Sequence, residues 1–258
     1  MRLMRFTRRT MMWFSLLILL LFMGPLIVLV TGGARLRGDW RLASHHPSGL
    51  APEPSQTPGA VVQVYAARAF AWRGAFSVHT WIAAKPANAT RYTRYEVIGW
   101  RFYRGLSAVS ITDDRAPDAQ WFGAAPWLLR DLRDADAEAI IAALPKAVAS
   151  YPYPRHYRAW PGPNSNTFTA HVARHLPQLH LALPAIAVGK DYLGQGKWVA
   201  RTPSGTGLQF SLSGMFGVLA GWHEGIEFNI LGLNVGVDPR GLAIQLPGIG
   251  RLGRSLNP

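Results

Sequence analysis

The stretch 75-AFSVHTWIAA-84 decides the fold class of this chain. It is rich in β-branched and aromatic residues, and so are AVVQVYAARA at 60–69 before it and RYEVIGW at 94–100 after it. Runs of this composition and length are typical of β-strands. Three of them in close succession predict a mostly antiparallel sheet that begins near residue 61.

Two helices are expected to interrupt the strands. DADAEAIIAALPKAVAS at 134–150 has helical periodicity, with Asp134 or Asp136 as its cap, and Pro145 should kink the helix or end it early. NTFTAHVARHL at 166–176 is predicted to be a short helix that Pro177 stops. Its inward stripe consists of Phe168, Val172 and Leu176.

The last third of the chain is dense in glycine and apolar residues. TGLQFSLSG at 206–214, GIEFNILGLNVGVD at 225–238 and LAIQLPG at 242–248 indicate further strands, with a hairpin turn at 238–241. Runs of strands beside separate helices indicate an α+β fold. We therefore expect one α+β domain over residues 61–258, built on a mostly antiparallel sheet with a few helices.

The N-terminal region predicts a membrane anchor. Residues 11–30, MMWFSLLILLLFMGPLIVLV, contain no charge, and about 20 apolar residues suffice for a helix to span the hydrocarbon core. Residues 1–10 are basic, and residues 31–60 are rich in Pro, Ser and Gly towards their end, which is typical of a linker. A slight excess of arginine before the span favours a cytoplasmic N-terminus. A cleaved signal peptide is the alternative, because Gly32-Gly33-Ala34 offers small residues to a peptidase.

Composition limits the possible chemistry and partners. The 258 residues include no cysteine, which excludes disulfides, thiolate ligands and a cysteine nucleophile. The net charge of +13 suits an anionic membrane surface. Nucleic acid is not expected as a partner, because the arginines are scattered and the sequence has no short nucleic-acid motif. No cofactor and no metal site are predicted, although His171 and His175 are spaced like two ligands on one helical face.

Ser165 stands at a predicted helix start, where free N–H groups can stabilise a developing negative charge. A serine nucleophile needs a base, and His79 interrupts an apolar strand. Glu96 could orient that histidine if the two strands pair. Each residue also has a structural interpretation: Ser165 as part of a helix cap, His79 as a core histidine, and Glu96 as a partner of Arg94 or Arg101.

VHTW at 78–81 followed by NSNTF at 164–168 resembles the circularly permuted papain-like fold of the lecithin retinol acyltransferase type. The resemblance places His79 at that family's histidine and Ser165 at its cysteine, with Asn164 before it and Phe168 three residues after it. Glu96 matches the third position loosely. Serine in place of cysteine is the departure from the family pattern.

A longer resemblance extends over roughly residues 61–254, to the bacterial family known as domain of unknown function 3750. The stretches that carry it include VHTWIAAK, YEVIGW, YPYP, WPGPNSNTF and GKDYLGQG. It implies a bacterial envelope protein, anchored in the inner membrane with an extracytoplasmic domain, and names no reaction. Two functions stay open: a serine-dependent hydrolase or acyltransferase acting on an envelope amide or ester, and an inactive papain-like domain that binds a lipid, a cell-wall fragment or an envelope protein.

Overall fold

A computed structural model describes residues 2–34 and 36–254, with side chains from residue 8 onward. It confirms the α+β class: within these residues, four α-helices accompany two antiparallel sheets rather than one. The helices are α1 (Arg2–Val30), α2 (Gly99–Tyr103), α3 (Asp134–Ala149) and α4 (Ser165–His175).

The first sheet has five strands in the order β4-β3-β2-β1-β5. The three strands predicted first from the sequence form its centre. The bounds are β1 (Val61–Arg68), β2 (Val78–Lys85), β3 (Thr93–Val97), β4 (Val109–Thr112) and β5 (Trp127–Arg133). Every residue of β2 is buried, because both faces of the sheet are covered.

The two faces of this sheet pack against different parts of the chain. On one face, Ile82 belongs to the main core together with Phe168 of α4. On the other face, Trp81 and Tyr65 form a second core with Trp121, which comes from the segment between β4 and β5. Successive side chains of a strand alternate between faces, so neighbouring residues of β2 serve different cores.

Helix α3 differs from the prediction in two ways. It continues through Pro145 to Ala149, and Arg133 occupies the N-cap without a side-chain cap bond, so neither aspartate caps it. The last turn persists because Ala147 and Val148 are buried in the main core, which offsets the backbone hydrogen bond that proline cannot make.

The second sheet has seven strands in chain order and follows α4. They are β6 (Val199–Arg201), β7 (Gly207–Leu212), β8 (Phe216–Gly221), β9 (Gly225–Ile230), β10 (Leu233–Asp238), β11 (Ala243–Leu246) and β12 (Gly250–Leu252). The predicted hairpin at 238–241 is confirmed, since β10 pairs antiparallel with β11.

The inner face of the second sheet is polar and holds the loop after α4. Lys190 donates to Glu227 over 2.5 Å, and Asp191 accepts from Asn229 and Asn234 at 2.9 Å each. Burial opposes the charge of Lys190, but the carboxylates of Asp191 and Glu227 raise its pKa above the usual range. The sheet is thus attached through buried ion pairs and hydrogen bonds rather than through an apolar interface.

Part of the segment predicted to be a linker lies against the domain. Asp118 Oδ2 accepts hydrogen bonds from the backbone N–H groups of Ser48, Leu50 and Ala51, at 3.2, 2.6 and 3.2 Å. The Tyr92 hydroxyl donates to the Pro52 carbonyl over 3.0 Å. This region therefore forms part of the covering over the second core.

Helix α1 is long and apolar enough to span a membrane, as a signal sequence also can be, because an 18-residue stretch within Arg8–Val30 has a mean hydropathy of 2.7. Its C-terminal turns contact the second sheet. A Cβ atom on Gly24 would lie 2.0 Å from the Pro247 carbonyl oxygen, and one on Gly248 would lie 2.5 Å from the Pro25 nitrogen. Only glycine permits this approach. Leu21 and Val28, on the same side of α1, are buried.

Candidate functional site

Three of the polar residues on the second-core face of the first sheet form one buried cluster. His79 Nε2 lies 2.7 Å from Glu96 Oε2, and Arg94 Nη2 donates to the same oxygen over 3.0 Å. Arg94 Nε also lies 2.9 Å from Glu96 Oε1, as an ionic contact outside hydrogen-bonding geometry. The predicted contact between His79 and Glu96 is present, and so is the alternative pairing of Glu96 with Arg94.

Aromatic rings enclose this cluster. The Trp121 ring stacks on the His79 ring with centroids 3.5 Å apart. The Trp81 ring also stacks on the His79 ring, with centroids 5.6 Å apart. The Arg94 guanidinium lies over the Trp81 ring, 4.1 Å from its centroid. A guanidinium over an indole face gains a favourable cation–π interaction. The rings therefore hold the Arg94 guanidinium and the His79 imidazole in fixed orientations.

The charges of the cluster follow from its burial. Burial acts to raise the pKa of Glu96, but the Arg94 charge and the hydrogen bond from His79 outweigh it and lower that pKa to about 2. Burial lowers the pKa of His79 below its usual range, and the hydrogen bond to Glu96 offsets only part of this effect. At neutral pH an ionised Glu96 therefore faces a charged Arg94 and a neutral His79. Since a carboxylate only accepts, the proton of His79 is on Nε2.

A cavity of about 350 Å³ opens beside this cluster. Arg94 and Trp121 form its inner wall, and the remainder consists of the polar residues His45, Asp114, Arg115 and Gln120 together with Pro47, Ala116 and Ala119. His45 comes from the segment predicted to be a linker, where its Nδ1 lies 3.2 Å from the Gln120 carbonyl oxygen. The cavity thus combines two guanidinium groups and one carboxylate with an indole ring.

Ser165 is the first residue of α4, but the cap is Asn164. The Asn164 Oδ1 accepts from the backbone N–H groups of Asn166 and Thr167, at 2.9 and 3.1 Å, and Thr167 Oγ1 accepts in return from the Asn164 N–H over 3.1 Å. This is a capping box. Ser165 itself is 6% exposed. The interpretation of this stretch as a helix cap is confirmed for Asn164.

The first sheet separates Ser165 from His79. Thr80 Oγ1 contacts α4, at 3.0 Å from Asn166 Oδ1 and 2.9 Å from Thr169 Oγ1. His79, one residue earlier in β2, points to the opposite face and stacks on Trp121. The structure brings His79 and Glu96 together and leaves Ser165 with α4 on the other side of the strand. Among the described residues, no hydrogen bond joins Ser165 to His79, and the Ser–His dyad stays a prediction.

A comparison with known protein families assigns the chain to one of them. The family described as "Protein of unknown function (DUF3750)" matches residues 59–192, just over half of the chain. The chain belongs to this family. No curated protein and no solved structure matches it, and the resemblance to the papain-like fold is not confirmed.

The match to the DUF3750 family covers both predicted site regions, since His79, Glu96 and Ser165 all lie inside it. It ends at residue 192, directly after the Lys190 and Asp191 pair that holds the second sheet. The second sheet therefore lies outside the matched region, although the longer resemblance noted in the sequence extended to residue 254.

Sequence reasoning missed Trp121 and considered Arg94 only as a partner for Glu96. Trp121 lies in an irregular segment, 42 residues along the chain from the histidine on which it stacks. Arg94 offered a signal, because it is two residues before Glu96 in a predicted strand and so shares its face. A charged pair on a strand between apolar neighbours indicates a buried ion pair.

Proposed function

We propose that this protein is a membrane-anchored binding domain of the bacterial envelope. In this proposal α1 is the anchor, the N-terminus is cytoplasmic, and the remaining chain lies outside the cytoplasm. The ligand site is the cavity beside Arg94 and Trp121. The length and hydropathy of α1 support the anchor, and the arginines that precede its apolar segment support the orientation.

The observation that carries the binding function is the pairing of cationic and aromatic groups at one cavity wall. Guanidinium groups recognise carboxylates and phosphates, and an indole face packs against a ring or an alkyl chain. Glu96 already neutralises Arg94, whereas Arg115 is half-buried at the cavity wall and is positioned to contact a ligand. These groups favour an anionic ligand with an apolar or cyclic part, such as an acidic cell-wall sugar or a lipid headgroup.

Binding to the purified full chain in detergent tests this proposal. The probes are N-acetylmuramic acid, a carboxylated sugar, and sn-glycerol 3-phosphate, a headgroup fragment. Arg115→Gln should weaken binding of the recognised probe by about tenfold or more, since hydrogen bonds between charged groups contribute about 1.5–3 kcal/mol. Arg155→Gln, at an exposed arginine away from the cavity, is the matched control. Absence of binding by both probes, or equal binding by the two variants, would reject the site.

A serine-dependent hydrolase or acyltransferase acting on an envelope amide or ester is the second candidate. The His79–Glu96 contact favours it, because such a pair orients a general base. In this reaction Ser165 would be the nucleophile, and the N–H groups at the start of α4 would stabilise the oxyanion. It requires His79 or another base to come within hydrogen-bonding reach of Ser165.

Labelling with a fluorophosphonate probe distinguishes the two candidates. We expect no labelling of the folded full chain, because Ser165 and His79 lie on opposite sides of β2. Labelling that is lost in both Ser165→Ala and His79→Ala would establish the hydrolase and displace the binding function.

A further inference from the structure

The outer face of the second sheet is apolar throughout its central strands. We name this surface the apolar sheet face: the even-numbered strand residues from 208 to 230 in β7–β9, with Leu233, Val235, Val237, Ile244 and Leu246 in β10 and β11. None of these residues is charged or polar. Cross-strand pairing makes the surface continuous, since Val218 is opposite both Phe210 and Phe228, and Phe228 is opposite Val235.

The polarity of this sheet is the reverse of that in a water-soluble protein. Antiparallel sheets in water bury their apolar side and expose their polar side. Here Gln209, Glu227 and Asn229 are buried, whereas Phe210 is 44% exposed and Phe228 is 53% exposed. Strands with apolar residues outside and polar residues inside also occur in β-barrels whose outer surface faces lipid.

The apolar sheet face is as large as the largest apolar patches on soluble monomers. Adjacent strands lie about 4.8 Å apart and each residue advances the strand by about 3.3 Å, so the face covers roughly 500 Å² in projection. The largest apolar patch on a typical soluble monomer is about 300–600 Å², and such patches are often functional. A surface of this size is therefore a candidate for contact with an apolar neighbour.

The position of α1 identifies that neighbour. Gly24 contacts Pro247 in the turn between β11 and β12, and Gly24 is six residues before the end of α1 at Val30. At 1.5 Å per residue, this contact lies about 9 Å inside the end of the apolar helix. If α1 spans a membrane, the turn packed against it must lie at hydrocarbon depth. The apolar sheet face starts beside this turn and continues away from it.

The opposite end of the same strands carries residues that favour the membrane interface. Trp222 lies in the turn between β8 and β9 and is 66% exposed, and the Arg240 guanidinium lies 4.7 Å from the centroid of its ring. Tryptophan and arginine are enriched where hydrocarbon meets headgroups. The net charge of +13 adds attraction to anionic lipid.

We propose that the apolar sheet face is a second membrane-contact surface, which inserts into the leaflet where the C-terminal end of α1 lies. Strands β7–β11 run from the depth of Gly24 towards the interface, where Trp222 and Arg240 lie among the headgroups. The proposal rests on α1 being the membrane anchor. The protein is then held to the bilayer by a helix and by one side of a sheet, rather than tethered at a distance from it.

Depth-dependent quenching tests this arrangement in the full chain, which has no cysteine of its own. Single cysteines at Val218 and Phe228 report on the apolar sheet face, and one at Leu19, 59% exposed, reports on α1. A cysteine at Ala139, exposed on α3, is the aqueous control. Each variant is labelled with a nitrobenzoxadiazole fluorophore. It is then reconstituted into vesicles of phosphatidylcholine and phosphatidylglycerol, with or without lipids carrying a doxyl quencher on the acyl chain.

We expect labels at 218 and 228 to lose fluorescence to the doxyl lipid to an extent similar to the label at 19, while the label at 139 is unaffected. Quenching at 19 with none at 218 and 228 would overturn the sheet proposal and leave the anchor intact. No quenching at 19 would reject the anchor itself. Blue-shifted but unquenched emission at 228, together with a disulfide between two unlabelled Phe228→Cys chains, would assign the surface to a second copy. Circular dichroism of each variant excludes misfolding as the cause.

Discussion

Removal of the Glu96 charge should destabilise the protein by about 3 kcal/mol or more. In Glu96→Gln the Arg94 guanidinium, which is 1% exposed, loses its counter-charge while it stays buried. Breaking a buried ion pair in this way costs about 3–5 kcal/mol. The lowered pKa of Glu96 gives a similar magnitude. A shift from about 4.3 in the unfolded chain to about 2 in the fold is worth about 3 kcal/mol.

The sign of the pH dependence follows from the same shift. As pH falls below about 4.3, the unfolded chain takes up a proton at Glu96 before the folded protein does, so acid favours unfolding. The stabilisation by Glu96 is present above this pH and is lost as pH falls towards 2. Because the pKa of His79 is also lowered, protonation of the unfolded chain at this residue weakens the fold below about pH 6.5.

Urea unfolding of the full chain in detergent, followed by tryptophan fluorescence, measures both effects. Glu96→Gln should lower the free energy of unfolding at pH 7 and flatten the dependence of this free energy on pH between about 4 and 2. The control Glu53→Gln, at an exposed glutamate, should change the free energy of unfolding by less than about 0.5 kcal/mol. The double variant Arg94→Met/Glu96→Gln should regain part of the loss, since no buried charge is left alone. A loss below about 1 kcal/mol in Glu96→Gln with an unchanged pH profile would refute the reasoning.

Three further changes test other parts of the fold. Asn164→Ala removes the helix cap and two hydrogen bonds to the Ala159 and Val188 carbonyl groups, of which the second is buried, so it should cost about 2–3 kcal/mol, whereas Ser165→Ala should cost under about 1 kcal/mol. A reversed order of melting temperatures would contradict the capping assignment. Asp118→Ala should accelerate amide hydrogen exchange at residues 48–51, and unchanged exchange would mean that another contact holds that segment. Lys190→Met leaves two buried carboxylates without their cation, so we expect it to lower the free energy of unfolding, measured in urea, by about 3–5 kcal/mol. An unchanged free energy of unfolding would contradict this expectation.

Local composition was sufficient to predict strands β1–β3, β7 and β9–β11 and helices α1, α3 and α4, whereas β4, β5, β6, β8, β12 and α2 were not predicted. Strands β1 and β2 have long runs of β-branched and aromatic residues, and the spacing of Phe168, Val172 and Leu176 predicted the buried stripe of α4. The contact between His79 and Glu96 was also predictable, because neighbouring strands with one short connection usually pair.

The position of Ser165 relative to His79 could not be predicted from local composition. Both faces of β2 are apolar apart from a few residues, since Val78 and Ile82 lie on one face and Trp81 on the other. Periodicity therefore could not show which face α4 covers. That choice depends on contacts between distant segments, such as Thr80 with Asn166, which no local pattern contains.

The close approach of Gly24 to Pro247 has a consequence for biosynthesis. Helix α1 emerges from the ribosome before its partner, because the turn that packs against Gly24 is made more than 200 residues later. At roughly 5–20 residues per second, the α1 surface around Gly24 waits on the order of ten seconds or more for its partner. Chains that terminate before residue 247 never receive that partner, so premature termination near the C-terminus should expose the docking side of α1 to quality control.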